Sequence, residues 1–227
     1  MGKTCPGKPV TEPTEARPSA VVFGNRVAPY HPLGAVEPAL CAILDGDFAL
    51  RFTEDTGELA AGLAGVRLVV GYADVWDTVL ADDAAAGLID FVHRGGGLLV
   101  IHNGICWAKH ARLRALLGAA FTGHPEQETM PYRFAGTHPI AAGLSEFSMQ
   151  EEPYRYEFEP GVEAEVFLRY EQAGRRWAAG WALERGAGRV VNLQPGHTAA
   201  AFANSGYAAL VRRSARWCAG VLWAGGA

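Results

Sequence analysis

Five of the seven histidines follow short apolar runs or stand in proline-bounded loops. His31 lies in the loop after Val21-Val22-Phe23. His102-Asn103-Gly104 directly follows Leu98-Leu99-Val100-Ile101, and Gln194-Pro195-Gly196-His197 follows the apolar run 189–193. His124 and His138 each precede a proline, whereas His93 and His110 read as solvated helix residues. Imidazole titrates near neutrality and binds zinc through a neutral nitrogen. Several imidazoles beside a carboxylate therefore suit acid–base catalysis or a metal centre. Glu151-Glu152, just before Pro153-Tyr154, offers the carboxylate. Any one of these residues could be ordinary surface; convergence at one end of a sheet would mark a site. We expect His102, Glu152 and His197 to carry the chemistry, with His31, Asn103, His124 and Tyr154 contacting the substrate. The site has either no cofactor or a divalent cation such as zinc. In the second case His102, His124 and His197 are the expected ligands, leaving the open position a catalytic zinc needs. Trp76, with Tyr72 and Asp74 nearby, offers an aromatic face suited to stacking a sugar ring.

The elements that would position these residues follow from hydrophobic periodicity. Runs at 20–24, 66–70 and 98–101 are apolar on both faces, and Phe48 to Phe52 alternates. Helices are expected at 35–44 and at 82–94. The latter has Asp82-Asp83 in its first turn, His93-Arg94 in its last and Gly95 to cap it. Alternating strands and helices indicate a parallel sheet covered on both sides, with ligands collecting at the carboxyl ends of its strands. Past residue 131 the segments near 155–158, 164–170, 176–183 and 188–193 read as strands joined by tight turns, an antiparallel extension of the same sheet. A helix over 205–223 closes the chain. The expected class is α/β, a three-layer α/β/α arrangement with a mostly parallel central sheet. Residues 1–18, with Pro6, Pro9, Pro13 and Pro18, read as a flexible leader, and 19–227 as one domain.

Composition narrows the function. The chain has 227 residues, 49% hydrophobic and 19% charged, with a net charge of -4. That is enough to bury a core without staples, and no basic surplus exists to neutralise a phosphate backbone. No apolar run reaches the roughly 20 residues of a membrane helix, and the first residues lack a signal-peptide core. Cys5, Cys41, Cys106 and Cys218 are widely spaced, which suits a reducing cytoplasm better than a disulfide framework. The expected partner is a small sugar or glycoside, not nucleic acid or membrane, and self-association stays open. Gly95-Gly96-Gly97 precedes a strand, whereas a dinucleotide fingerprint follows one. P-loop, GxSxG and HExxH motifs are missing from the sequence.

The run Phe91-Val92-His93-Arg94-Gly95-Gly96-Gly97-Leu98-Leu99-Val100-Ile101-His102 resembles the helix, triple-glycine, strand and histidine signature of the ThuA-like (trehalose utilisation) family. Gly123-His124-Pro125, the segment 137–147, Glu151-Glu152-Pro153-Tyr154 and the stretch 180–197 match in the same order, and the His31 loop is similar to the family's first histidine loop. The resemblance spans roughly residues 20–223. The chain departs at Glu151-Glu152-Pro153-Tyr154, where the family usually shows Asp-Glu-x-Tyr. The resemblance implies the flavodoxin-like fold of the class I glutamine amidotransferase superfamily and a link to disaccharide or glycoside catabolism. A working glutaminase needs a cysteine at the turn after the central strand; this chain has His102-Asn103 there, Cys106 comes too late, and Thr198-Ala199 follows His197 where a glutamate would be needed. The expected protein is thus a sugar-metabolising one, trehalose-type or keto-glycoside, without a cysteine nucleophile. The alternative is a non-catalytic carbohydrate-binding or assembly module on the same fold.

Overall fold

Val21-Val22, Val69-Val70 and Leu98-Leu99-Val100-Ile101 have no polar side, so a sheet built from them needs cover on both faces. The computed structural model, which describes residues 17–221 and the backbone of Lys3–Thr4, supplies that cover. The elements in chain order are β1 (Lys3–Thr4), β2 (Ser19–Phe23), α1 (Leu33–Leu44), β3 (Ala49–Thr53), α2 (Thr56–Ala60), β4 (Val66–Gly71), α3 (Asp82–His93) and β5 (Gly97–Ile101). A 3-10 helix (His102–Lys109) follows, then α4 (Ala111–Leu117), β6 (Ala119–Gly123), β7 (Glu128–Phe134), β8 (Phe147–Glu151) and β9 (Arg155–Phe158). β10 (Glu165–Gln172), β11 (Arg175–Arg185), β12 (Gly188–Leu193), α5 (Ala199–Ala203) and α6 (Ser205–Cys218) complete the chain.

The main sheet runs β1-β3-β2-β4-β5-β12-β11-β10-β7-β8. From β3 to β12 neighbouring strands are parallel; beyond β12 every pair is antiparallel. The strand period of two sends Val22, Val70 and Leu99 to a core shared with α1, α5 and α6, and Val21, Val69 and Leu98 to a second core shared with α3 and α4. Each such side chain contributes about 1.5–3 kcal/mol by leaving water. This is the flavodoxin-like three-layer architecture, with the antiparallel extension on one side.

Helix α3 starts on Asp82-Asp83 and stops at Gly95, whose φ of +103° lets its N–H turn back to Val92 O at 2.9 Å. α6 is capped by Asn204, whose side chain accepts from the Gly206 and Tyr207 amides, and ends at Cys218, short of the expected 223. Segment 188–193 is not part of the antiparallel extension alone: β12 lies parallel to β5 and is the hinge between the two halves of the sheet. Segment 155–158 does not join the main sheet. It forms β9, which pairs with β6 as a separate two-stranded sheet. Lys3–Thr4 pair with Arg51 and Phe52 of β3 as an edge strand, and most of the expected leader lies outside the described residues. Cys41 is disulfide-bonded, against the expectation of reduced thiols throughout; Cys106 and Cys218 are free and buried.

Candidate functional site

Strand β5 delivers the chain to a sharp turn at His102, whose φ of +46° is left-handed. For a side chain with a Cβ this costs about 1–3 kcal/mol and persists only where the surroundings hold it. They do: Asn103 Nδ2 donates to Ala73 O at 2.7 Å, and Gly104 sits so close behind β4 that a Cβ there would meet Gly71 O at 2.4 Å. The His102 ring is buried, with Nδ1 at 2.7 Å from Gln194 O. A carbonyl only accepts, so Nδ1 carries the proton of the neutral ring and Nε2 is left as a bare lone pair. Burial lowers the His102 pKa to about 4, more than the nearby Glu152 carboxylate and the Gln194 carbonyl can offset. The ring is neutral at physiological pH.

Strand β12 delivers the second imidazole. Past Leu193 the chain passes Gly196 at φ +130°, and its turn is pinned from behind. The fully buried Glu151 carboxylate accepts the Gly196 amide at 2.9 Å and the His197 amide at 3.2 Å. Tyr72 donates to Gly196 O at 2.8 Å, and Tyr207 donates to Pro195 O. Burial raises the Glu151 pKa to about 7, against the pull of those two amides. Gln194 Nε2 donates to Glu152 O at 2.5 Å while its Oε1 accepts from Tyr132, which fixes where Glu152 points.

Strands β2 and β4 deliver the third. Asp74 accepts the His31 amide at 3.2 Å, and its Oδ1 lies 3.5 Å from His31 Nδ1. Asp74 is itself held by Asn25, which accepts the Asp74 amide at 3.0 Å. The carboxylate behind Nδ1 turns the other nitrogen, Nε2, toward the site, the arrangement found behind metal-ligating histidines.

The three imidazoles meet at Glu152. Its Oε2 lies 3.2 Å from His197 Nδ1, 3.4 Å from His102 Nε2 and 3.8 Å from His31 Nε2. One ligand atom from each of His31, His102, His197 and Glu152 can be chosen so that all lie within 4.8 Å of one another. Burial by itself would raise the Glu152 pKa, but the surrounding imidazoles of His102, His197 and His31 overcome it and hold the carboxylate far below its usual range. The same carboxylate raises the pKa of His197. His102 Nε2 and Glu152 Oε2 are both buried without a hydrogen-bond partner. Two lone pairs facing each other in a buried site repel, unless a proton or a cation lies between them. The donor set, three nitrogens and one carboxylate oxygen, fits zinc or a similar divalent ion.

An aromatic mouth of about 330 Å³ opens over this group, lined by Tyr30, Trp76, Phe121, His124 and Tyr154 with His31 and Glu152 at the floor. Tyr154 is stacked on His102 at 4.2 Å and on His124 at 5.2 Å between ring centroids, and Trp76 meets Phe121 at 4.9 Å. Trp76 therefore stands where the sequence placed an aromatic face. His124 is at the rim: its Nε2 is 4.0 Å from Glu152, and it lies outside the compact ligand group, in which His31 takes the place expected for it. Asn103 is fully buried and braces the elbow without lining the mouth. His138 is elsewhere, stacked on Phe167 with Nδ1 accepting the Ile140 amide. His110 is not solvated but buried, 2.9 Å from Asp82. The supporting roles of Asp74, Glu151 and Gln194 escaped the sequence reading. Asp74 and Gln194 do follow strand runs closely, and that position was their signal.

Comparison with known proteins gives the family and the fold. The family model described as ThuA, trehalose utilisation, matches residues 23–218. A ThuA-like protein from Parabacteroides merdae superposes with a TM-score of 0.76 at 16% identity, covering 89% of this chain and 90% of that one. One from Bacteroides uniformis gives 0.70 at 16% identity, covering 93% and 95%. A β-galactosidase from Rahnella matches at 0.59 and 15% identity, over 85% of this chain and 31% of that one. No curated protein matches at a significant level.

Proposed function

We propose, from the premise that this chain belongs to the ThuA (trehalose utilisation) family, that it acts on a sugar or glycoside at the mouth between Trp76, Phe121 and Tyr154. The observation that carries the reading is the convergence of His31, His102, His197 and Glu152, with two of their buried acceptor atoms lacking any donor. These four residues would hold a divalent cation, zinc or an ion like it. When bound, such an ion polarises a sugar oxygen or lowers the pKa of a water. Trp76 and Phe121 offer flat apolar faces to the C–H side of a pyranose. His124, at the rim, is placed to exchange a proton with a substrate hydroxyl.

Two-carboxylate glycoside hydrolysis is not the reading supported here. It needs a second free carboxylate at roughly 5–9.5 Å from the first. Glu151 is fully engaged with backbone amides, and Asp74 sits behind His31. Both nearby carboxylates are occupied in holding histidines.

The test is metal analysis of protein purified without chelator, with calorimetric titration of trehalose and oxidised disaccharides before and after chelation. The expected result is about one zinc or similar ion per chain, and sugar binding that falls when the ion is stripped. A metal-free preparation that binds sugar undiminished would leave the imidazoles as hydrogen-bonding groups. It would overturn the cation.

A further inference from the structure

A second concavity, of about 370 Å³, lies between β9 and the β10–β11 hairpin. It shares no lining residue with the aromatic mouth. Its walls are apolar, formed by Tyr156, Phe158, Val162, Val166 and Ala178, and one side carries Arg169 and Arg176. The arginines are placed by strand register. Arg169 pairs across β10–β7 with Arg133, so two like charges stand directly opposite each other. Arg176 is two residues along β11 from Ala178, the partner of Arg169, which makes Arg169 and Arg176 diagonal neighbours. Like charges in these positions destabilise an antiparallel pair unless something neutralises them. Arg133 is answered by Glu146 at 3.3 Å, and Glu171 stands across from Arg176 on the neighbouring strand. Arg169 and Arg176 make no ion pair among the described residues.

A further cluster of donors lies beside the groove. Trp177 lines it, with the guanidinium of Arg155 at 4.9 Å and that of Arg175 at 4.8 Å from its ring. Arg155 is further fixed by a bond from Nη2 to Gln172 Oε1 at 3.2 Å. The indole Nε1 of Trp177 and the Nε of Arg155 are both buried without a partner, and both atoms can only donate. Arg169 and Arg176, on the groove wall and outside any ion pair among the described residues, leave the groove short of an acceptor carrying negative charge.

We infer that this groove is a second ligand site, taking an organic anion whose carboxylate or phosphate monoester head meets Arg169 and Arg176 while an apolar body lies along Phe158, Val162 and Val166. Its volume falls in the range of small-molecule sites, and its lining joins apolar walls to a few convergent charges.

The test is calorimetric titration of the full chain with octanoate, octyl phosphate, octanol and inorganic phosphate. Saturable binding of octanoate or octyl phosphate is expected, weakened by salt, and the tighter of the two assigns the head group. Octanol and inorganic phosphate should each bind at least about tenfold more weakly, since each lacks half of the recognition. The double variant Arg169→Gln/Arg176→Gln should lose at least about tenfold in anion affinity while keeping its melting temperature and its metal content. Val166→Asp, which places a charge against the ligand's apolar body, should do the same with the arginines intact. The inference is overturned if neither anion saturates, if octanol matches octanoate, if inorganic phosphate matches octyl phosphate, or if the arginine variant binds as the parent does.

Discussion

His102 and His138 are both buried, 1% and 4% exposed, and in both burial pushes the pKa down. Their surroundings differ. His138 is packed between Phe167 and Trp217, and its Nδ1 accepts a backbone amide, so the ring is a satisfied core group. His102 stands in a left-handed elbow with one nitrogen bonded to a carbonyl and the other aimed at Glu152 without a donor between them. Burial and a lowered pKa are common to the two. What separates them is the convergence of unshared lone pairs from several strands on one point. A titratable residue is marked as functional by what its neighbours lack, not by how deeply it lies.

The largest effects should come from removing those lone pairs. Glu152→Gln and His102→Asn are each expected to weaken zinc affinity by at least about 100-fold, beyond the cost of losing an outer partner. Asparagine tolerates the left-handed backbone at 102, so the loss reports the ligand and not the turn. His138→Gln should leave zinc affinity unchanged. Competition against a chromophoric chelator measures all three, and equal losses at 102 and 138 would break the comparison. One step down in size, Asp74→Asn should cost about 10-fold, because Asp74 only orients His31. If that variant bound zinc as tightly as the parent, His31 would not be a ligand held from behind.

Much of this contrast was legible in the chain and some was not. His102 could be found because it directly follows a run apolar on both faces, and His197 because it stands in the loop that leaves the 189–193 run; a parallel sheet sends such residues to one end. Glu152 could be found as the carboxylate beside Tyr154. The choice of His31 over His124 could not, because it depends on how far the β2 loop folds back onto Asp74, a contact between residues 43 apart. His138 reads as a loop histidine before a proline, and nothing local shows that Phe167 and Trp217 will close over it. The strands β6, β7 and β8 also escaped. β7 contains Pro131 and each is short with exposed positions, so their pattern matches loop as well as strand. Cys41 shows the same limit, since its disulfide leaves no spacing signal in the sequence.

A smaller effect is expected at His138 from pH. The His138 pKa is lowered in the fold by burial, so the unfolded chain takes up its proton first as the solution is acidified. Wherever the unfolded state binds more protons, stability drops as the pH is lowered; the loss therefore begins near the unfolded value of about 6.5 and grows toward the lower folded one. In His138→Gln, whose amide can still accept the Ile140 N–H, that part of the acid limb should flatten. Urea unfolding from neutral to mildly acidic pH reads it, and an unchanged slope would mean that the ring is already charged in the fold.

The smallest expected effect is at Cys106, and its absence carries meaning. A thiol nucleophile on this fold would have to occupy the elbow, which His102 holds. Cys106 lies a turn later in the 3-10 helix, 2% exposed, with Sγ 3.4 Å from Ala73 O. Burial pushes its pKa up to about 12, so almost no thiolate exists at neutral pH to attack a substrate or an alkylating agent. Cys106→Ser keeps a polar atom facing Ala73 O and should cost about 1 kcal/mol of stability or less, with sugar and zinc binding unchanged. Iodoacetamide should leave Cys106 unlabelled in the native protein and label it only after unfolding. Rapid labelling of the native protein accompanied by loss of sugar binding would move the chemistry from the imidazoles to the thiol, and the contrast between His102 and His138 would no longer locate the site.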